Sequence, residues 1–79
     1  MEATKYKHEV ECIGYTIVRD LMRNPELHSP YVCSNNGRKW LYIYNDETSD
    51  PVWHISAPTW YDLYQAARSA MSLRLAIRH

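Results

Sequence analysis

The spacing of apolar residues predicts a helix near the start of the chain. Apolar side chains recur three or four positions apart at Tyr6, Val10, Ile13, Ile17 and Leu21. This is the period of one helical face, and the Asn-Pro pair that follows it is a typical helix stop. Residues 4–12 also alternate with the two-residue period of a strand, so helix and strand both stay open there. We favour helix, because the longer period extends further.

A second helix is predicted at the other end of the chain. Its apolar face consists of Trp60, Leu63, Ala67, Ala70, Leu73 and Ile77. Thr59 followed by Asp62 fits a capping box, in which the threonine side chain accepts a hydrogen bond from a free amide of the first turn. The helix should therefore begin at residue 60.

The middle of the chain has the pattern of strands, with short runs of Tyr, Val, Trp and Ile between turn residues. Asn36-Gly37 predicts a two-residue hairpin turn, since both residues tolerate positive φ. We expect strands over residues 31–35, 38–44 and 52–56, joined as an antiparallel meander. The fold class is therefore α+β, a two-layer αβββα arrangement with both helices on one sheet face. At 79 residues, the chain is expected to form a single domain, 1–79.

The hairpin turn fixes a register and thereby sorts the strand residues into two faces. It pairs Cys33 with Trp40 and Tyr31 with Tyr42. A symmetric second loop would pair Tyr42 with Trp53 and Trp40 with Ile55. One face, called here the aromatic set, collects Tyr31, Cys33, Trp40, Tyr42, Tyr44, Trp53 and Ile55. The other, the aliphatic set, collects Val32, Ser34, Lys39, Leu41, Ile43, Val52, His54 and Ser56.

We expect the aromatic set to form the core, because its volume complements the small residues Ala66, Ala67 and Ala70 of the last helix. The aliphatic set would then be exposed as an interaction site. The predicted binding residues are Val32, Lys39, Leu41, Ile43, Val52 and His54, together with Asp46, Glu47 and Asp50 of the acidic loop between the last two strands. A polar turn loop is commonly polar simply because it is solvated, so both interpretations of the acidic loop stay open.

The opposite orientation of the sheet predicts a different site. Trp40, Tyr42, Tyr44 and Trp53 would then form an exposed platform suited to a protein hot spot or to unpaired bases. Nucleic acid is the less favoured partner, because nine Lys and Arg residues balance nine Asp and Glu residues and leave no general basic field.

A second apolar stripe on the last helix consists of Tyr64, Met71 and Leu75. One helix does not easily bury two stripes against a three-stranded sheet. We therefore expect the second stripe to support a homodimer, with the first helix as the alternative partner.

The sequence offers one weak metal candidate, built from His8, Cys12, Cys33 and His54. It lacks a Cys-x-x-Cys pair, and free buried cysteines are common, so no metal and no cofactor are expected. A catalytic pair of Cys33 and His54 is not expected either, since the register places them on opposite faces with a strand between them. We predict that the chain is not an enzyme.

The order of elements, together with the alanine-rich stretch at 66–70, resembles the double-stranded RNA-binding domain. That family grips RNA phosphates with a Lys cluster at the start of its last helix. The corresponding segment here, 59–62, reads Thr-Trp-Tyr-Asp. The resemblance therefore implies a fold and carries over no binding residue.

These patterns lead to a hypothesis of function. We expect a small cytoplasmic protein that inhibits or bridges a protein partner, comparable in class to the phage-encoded inhibitors of host defence that include anti-CRISPR proteins. The alternative is a nucleic-acid-binding regulator that uses aromatic stacking. The start of the sequence lacks an apolar leader and the two cysteines are too few for a disulfide framework, which favours a reduced compartment. No apolar run is long enough to cross a bilayer, so no membrane association is expected.

Overall fold

The computed structural model describes the backbone of residues 2–78 and the side chains of residues 5–72. Its main elements follow the predicted order: α1 (Glu2–Leu21), β1 (His28–Asn35), β2 (Arg38–Asn45), β3 (Asp50–Ala57) and α2 (Trp60–Arg78), with a short 3-10 helix at Pro25–Leu27 after α1. The strands form one antiparallel sheet in the order β1-β2-β3. The predicted αβββα fold is confirmed.

The segment that fitted both periods belongs to α1. Val10, Ile13 and Ile17 are buried on one side of this helix, whereas His8, which a strand would place on the same face as Val10, is exposed. The helical period prevails because it places three apolar side chains on the sheet at once, and the packing of an amphipathic face stabilises a helix more than local propensity does.

The hairpin turn between β1 and β2 has the predicted geometry. Asn36 and Gly37 both adopt positive φ, at 53° and 74°. The turn pairs Cys33 with Trp40 and Tyr31 with Tyr42. Both predicted pairs are therefore confirmed.

The second register was predicted wrongly by one residue. Tyr42 pairs with His54, and Trp40 pairs with Ser56, in place of the expected Trp53 and Ile55. The register shifts between Ile43 and Tyr44, so that Val52 is the extra residue of a bulge on β3. The loop itself is symmetric as expected, since Asn45 pairs with Asp50 and Tyr44 with Pro51. The feature that the prediction missed is the bulge, which moves His54 to the same face as Tyr42.

The core lies between the sheet and both helices, and it is aliphatic. Its buried members are Val10, Ile13, Ile17, Val18, Leu41, Ile43, Ala57, Leu63 and Ala67. Leu41 and Ile43 have no exposed area at all. The predicted aromatic core is therefore wrong for β1 and β2, although Trp53 and Ile55 of β3 do pack against this core.

The close approach of α1 to the sheet explains why aliphatic residues are buried. A Cβ atom placed on Gly14 would lie 2.7 Å from Cβ of Pro30 and 3.1 Å from Cδ1 of Leu41. This spacing leaves no room for an indole or phenol ring between Gly14 and β1 or β2. Buried tyrosines would also need partners for their hydroxyl groups, which Leu41 and Ile43 do not.

The start of α2 is capped as predicted. Oγ1 of Thr59 accepts a hydrogen bond of 3.0 Å from the backbone N–H of Asp62. Leu63 and Ala67 then lie at 0% exposure against the sheet and α1. The small side chain of Ala67 thus serves close packing, but against aliphatic residues and not against the rings that were expected to lie there.

The first prediction concerns the hairpin turn. Gly37→Val should lower the free energy of unfolding by about 1–3 kcal/mol, because a β-branched residue at positive φ is strained. Nothing lies within 4 Å of the Cβ position, so the loss would report backbone strain alone. Chemical denaturation measures it, and an unchanged midpoint would contradict the positive φ of this turn.

The second prediction concerns Gly14. In an ordinary helix interior Gly→Ala stabilises by about 1 kcal/mol. Here Gly14→Ala should destabilise by about 1 kcal/mol or more, since the ring of Pro30 cannot move aside. Ser69→Ala, at an exposed position of α2, is the matched control and should leave the melting temperature unchanged or slightly raised. A stabilised Gly14→Ala would show that α1 lies further from the sheet.

Candidate functional site

The candidate site is the sheet face opposite the helices, called here the outer face. It carries Tyr31, Cys33, Trp40, Tyr42, Tyr44, His54 and Ser56. Both helices pack on the other side of the sheet, so this face is covered by neither helix in the described part of the chain. Tyr31 on the edge strand is 57% exposed.

The rings of the outer face form a continuous row along β2. Trp40 and Tyr42 are stacked, with ring centroids 5.5 Å apart and planes within 10° of each other. Tyr44 follows at 5.6 Å from Tyr42. From the neighbouring strands, Tyr31 contacts Tyr44 edge-on at 6.2 Å, and His54 lies 5.8 Å from Trp40. The rings therefore form one continuous aromatic surface, although only Trp40 and Tyr42 are nearly parallel.

Crowding within this row shifts the pKa of its central member, Tyr42. Loss of hydration among the neighbouring rings raises the pKa of the Tyr42 hydroxyl, and the nearby Cys33 and Tyr44 add to the effect. A tyrosine hydroxyl is protonated at neutral pH even without this shift, so the group is a neutral donor and acceptor. The indole N–H of Trp40 is buried and has no acceptor among the described residues. The ring is therefore positioned by its stacking on Tyr42 and not by a hydrogen bond from this N–H.

Opposite charges stand at the two ends of the row. Arg38 precedes Trp40 on the same side of β2, and its Nε donates a 3.1 Å hydrogen bond to Oγ of Ser56. At the other end Asp46 accepts a 2.8 Å hydrogen bond from Oγ of Ser29. A depression of about 470 Å³ lies beside this acidic end, with Tyr31 and Tyr44 in its wall.

The acidic loop has a defined conformation. Oδ1 of Asn45 accepts hydrogen bonds from the backbone N–H groups of Glu47 and Thr48, at 2.9 and 3.2 Å. Ser49 adopts a left-handed φ of 63°. These contacts hold the carboxylates of Asp46, Glu47 and Asp50 at the exposed end of the sheet.

The predicted aliphatic binding surface does not exist. Leu41 and Ile43 are fully buried beneath the helices, and Val32 is half-buried against the same core. Lys39 lies on this inner side, where its Nζ donates a 2.8 Å hydrogen bond to Ser34 and stands 5.6 Å from the ring of Trp60. The expectation that these residues are exposed for binding is wrong, because the close approach of α1 to the sheet at Gly14 makes their side of the sheet the buried one.

The other predicted site residues are distributed differently. Val52 is 51% exposed, but it owes this exposure to the bulge on β3. His54 joins the outer face beside Tyr42, at a ring separation of 6.0 Å. Trp53, assigned to the alternative platform, packs against the core. The structure thus brings together Trp40, Tyr42, Tyr44 and His54, which the sequence assigned to two different faces.

The metal candidate is divided between two sides of the molecule. Cys12 Sγ lies 3.7 Å from Nε2 of His8 on α1, whereas Cys33 and His54 lie on the outer face. The prediction that Cys33 and His54 occupy opposite faces is wrong, although β2 still separates them. Among the side chains that the structure describes, no three His, Cys, Asp or Glu residues are grouped as a metal site.

The second stripe of α2 is partly covered. The ring of Tyr64 lies 5.5 Å from that of Tyr6 on α1, and Met71 packs against the core. These contacts favour the alternative in which α1 is the partner of the stripe. The side chain of Leu75 lies outside the described residues.

Comparison with known proteins adds no family. The chain matches no protein-family model, no curated protein and no solved structure. The resemblance to the double-stranded RNA-binding domain therefore stands on the order of elements and one short stretch alone. Of the helices that the structure describes, none has the length and apolar character needed to cross a membrane.

Sequence reasoning missed Arg38 as a member of the site. The signal was present, since residues 38, 40, 42 and 44 alternate along one strand and must share a face. A charged residue directly after a hairpin turn is also typical of a solvated strand end, so the pattern alone did not single it out.

The third prediction tests which face of the sheet is buried by introducing lysine at each of two neighbouring positions of β2. Leu41→Lys should cost about 4 kcal/mol or more, because it buries an unpaired charge, and should unfold the chain. Tyr42→Lys loses contacts with three rings, Trp40, Tyr44 and His54, but leaves its charge in water, so it should cost about 1–3 kcal/mol and stay folded. Circular dichroism and thermal melting measure both. A folded Leu41→Lys beside an unfolded Tyr42→Lys would show that the sheet has the opposite orientation.

Proposed function

We propose that this protein is a non-enzymatic binding module whose outer face, extended by the acidic loop, docks onto a protein partner. The observation that carries the proposal is the uncovered row of Trp40, Tyr42 and Tyr44, with Trp40 stacked on Tyr42 at 5.5 Å. Tyrosine and tryptophan are enriched among the residues that dominate protein interfaces, since they contribute a large apolar area and few side-chain torsions to immobilise.

The charges around the row favour a protein over nucleic acid. Arg38 is the cationic residue of the described outer face, and it stands at one end, whereas Asp46 and the acidic loop stand at the other. Lys39, the next cation along β2, is on the opposite side against Trp60. A single-stranded nucleic acid needs a basic path beside its stacked bases. A protein with an apolar patch flanked by basic residues is the better complement to the acidic end.

This surface suits a protein that inhibits or bridges its target. An uncovered aromatic face can occlude a partner's binding surface without any chemistry of its own, in the manner expected of a small phage-encoded inhibitor. A cytoplasmic location and a role against host defence stay predictions from the sequence.

The fourth prediction tests the docking surface with matched tyrosines. Tagged wild type, Tyr42→Lys and Tyr15→Lys are used to capture proteins from an extract of the native host, followed by mass spectrometry. Tyr15 is 65% exposed on α1 and borders Tyr31 at the β1 edge, so its substitution makes the same chemical change outside the row of Trp40, Tyr42 and Tyr44. We expect a protein that wild type and Tyr15→Lys retain and that Tyr42→Lys loses at least about tenfold, as for an interface hot spot.

Two results would contradict the proposal. Equal capture by Tyr42→Lys, shown by circular dichroism to be folded, would place the docking surface elsewhere. Binding of single-stranded oligonucleotides by wild type, with an affinity that falls steeply between two salt concentrations, would instead support the nucleic-acid alternative.

A further inference from the structure

The residues of β2 that face outward, with the first residue of the acidic loop, form a self-complementary series. In order they are Arg38, Trp40, Tyr42, Tyr44 and Asp46, a cation, three rings and an anion. Tyr42 is at the centre, with two residues on either side. When a second copy of this series is placed against the first in the reverse direction, each charge faces the opposite charge and each ring faces a ring.

A two-fold axis in one particular orientation places opposite charges of two copies next to each other. When two outer faces meet, an axis that lies between them and crosses β2 at right angles above Tyr42 makes the two β2 strands antiparallel. Arg38 of each copy then stands opposite Asp46 of the other, and Trp40 opposite Tyr44. An axis along the strand would instead place like charges together, which an isologous contact disfavours.

We propose that the outer face binds a second copy of this chain as an antiparallel, face-to-face dimer. This inference rests on the proposed function, because it takes the outer face to be a docking surface and names its occupant. Charge complementarity carries it: a partner needs a cation opposite Asp46 and an anion opposite Arg38, with rings between, and the chain itself supplies that arrangement.

The size of the face sets the strength of the dimer. Three strands of eight residues cover a plane of about 27 by 14 Å. The contact therefore belongs with the small, transient interfaces, and a dissociation constant in the micromolar range is expected. A dimer of this strength dissociates readily enough to release the outer face to another protein.

The sequence pattern alone favoured a dimer through the second stripe of α2. In the described residues that stripe is partly covered, since Tyr64 contacts Tyr6 and Met71 packs against the core. The outer face has rings and charges that no described helix covers, so it is the better surface for self-association.

The fifth prediction is a charge exchange between two copies. Arg38→Glu and Asp46→Arg each place two like-charge contacts in the homodimer, so each should raise its dissociation constant at least about tenfold. An equimolar mixture should recover a dimer, because the introduced glutamate of one variant meets the introduced arginine of the other and the second contact is native. Sedimentation velocity over a concentration series measures all four samples, including wild type.

Two further variants keep the test interpretable. Arg23→Glu makes the same charge change at an exposed loop position and should dimerise like wild type. Asp46→Asn keeps the carbonyl acceptor for Ser29 and removes only the charge, so it replaces Asp46→Arg if the latter fails to fold. It should weaken the homodimer. Its mixture with Arg38→Glu should recover the dimer only in part, because one of the two contacts is then the native Arg38–Asp46 pair and the other, glutamate opposite asparagine, is not an ion pair.

Several outcomes would overturn the inference. A wild type that stays monomeric to millimolar concentration excludes the dimer, while the capture experiment with Tyr42→Lys still decides the proposed function separately. A dimer that neither charge variant weakens uses another surface, such as a sheet edge. Loss of the dimer in both variants without recovery in the mixture excludes the antiparallel pairing of Arg38 with Asp46.

Discussion

Burial of Leu41 and Ile43 between the sheet and the two helices determines which face of the sheet is available for binding. Their complete burial depends on the absence of a side chain at Gly14. Without it, α1 approaches Pro30 and Leu41 so closely that even a single Cβ atom at residue 14 would clash with Pro30. Alternate residues of a strand point to opposite faces. Once Leu41 and Ile43 face the helices, Trp40, Tyr42 and Tyr44 must face away from them.

The outer face that results has the composition of an association surface. Burial among its rings raises the pKa of the Tyr42 hydroxyl, and this group, protonated at neutral pH with or without that shift, can donate and accept a hydrogen bond. Arg38 and Asp46 at opposite ends give the surface a direction. A directional aromatic surface selects the orientation of its partner, whether that partner is a second copy or another protein.

The candidate site was half predictable. The turn at Asn36-Gly37 fixed the register of β1 against β2, so the pairing of Tyr31 with Tyr42 followed from local sequence. The place of His54 did not follow, because the bulge at Val52 shifts β3 by one residue. No residue in the second loop marks that shift, since a bulge is decided by how both strands lie on the core.

The sequence by itself determined the order of elements, the hairpin turn, the cap at Thr59 and the division of β2 into an aliphatic and an aromatic side. Each depends on neighbours within a few positions, where period and turn chemistry act directly. Only the tertiary structure decided which side is buried. Both sides are apolar enough to form a core, and the choice depends on the distance between α1 and the sheet. That distance is set by the contacts of Gly14 with Pro30 and Leu41, which are far apart in sequence.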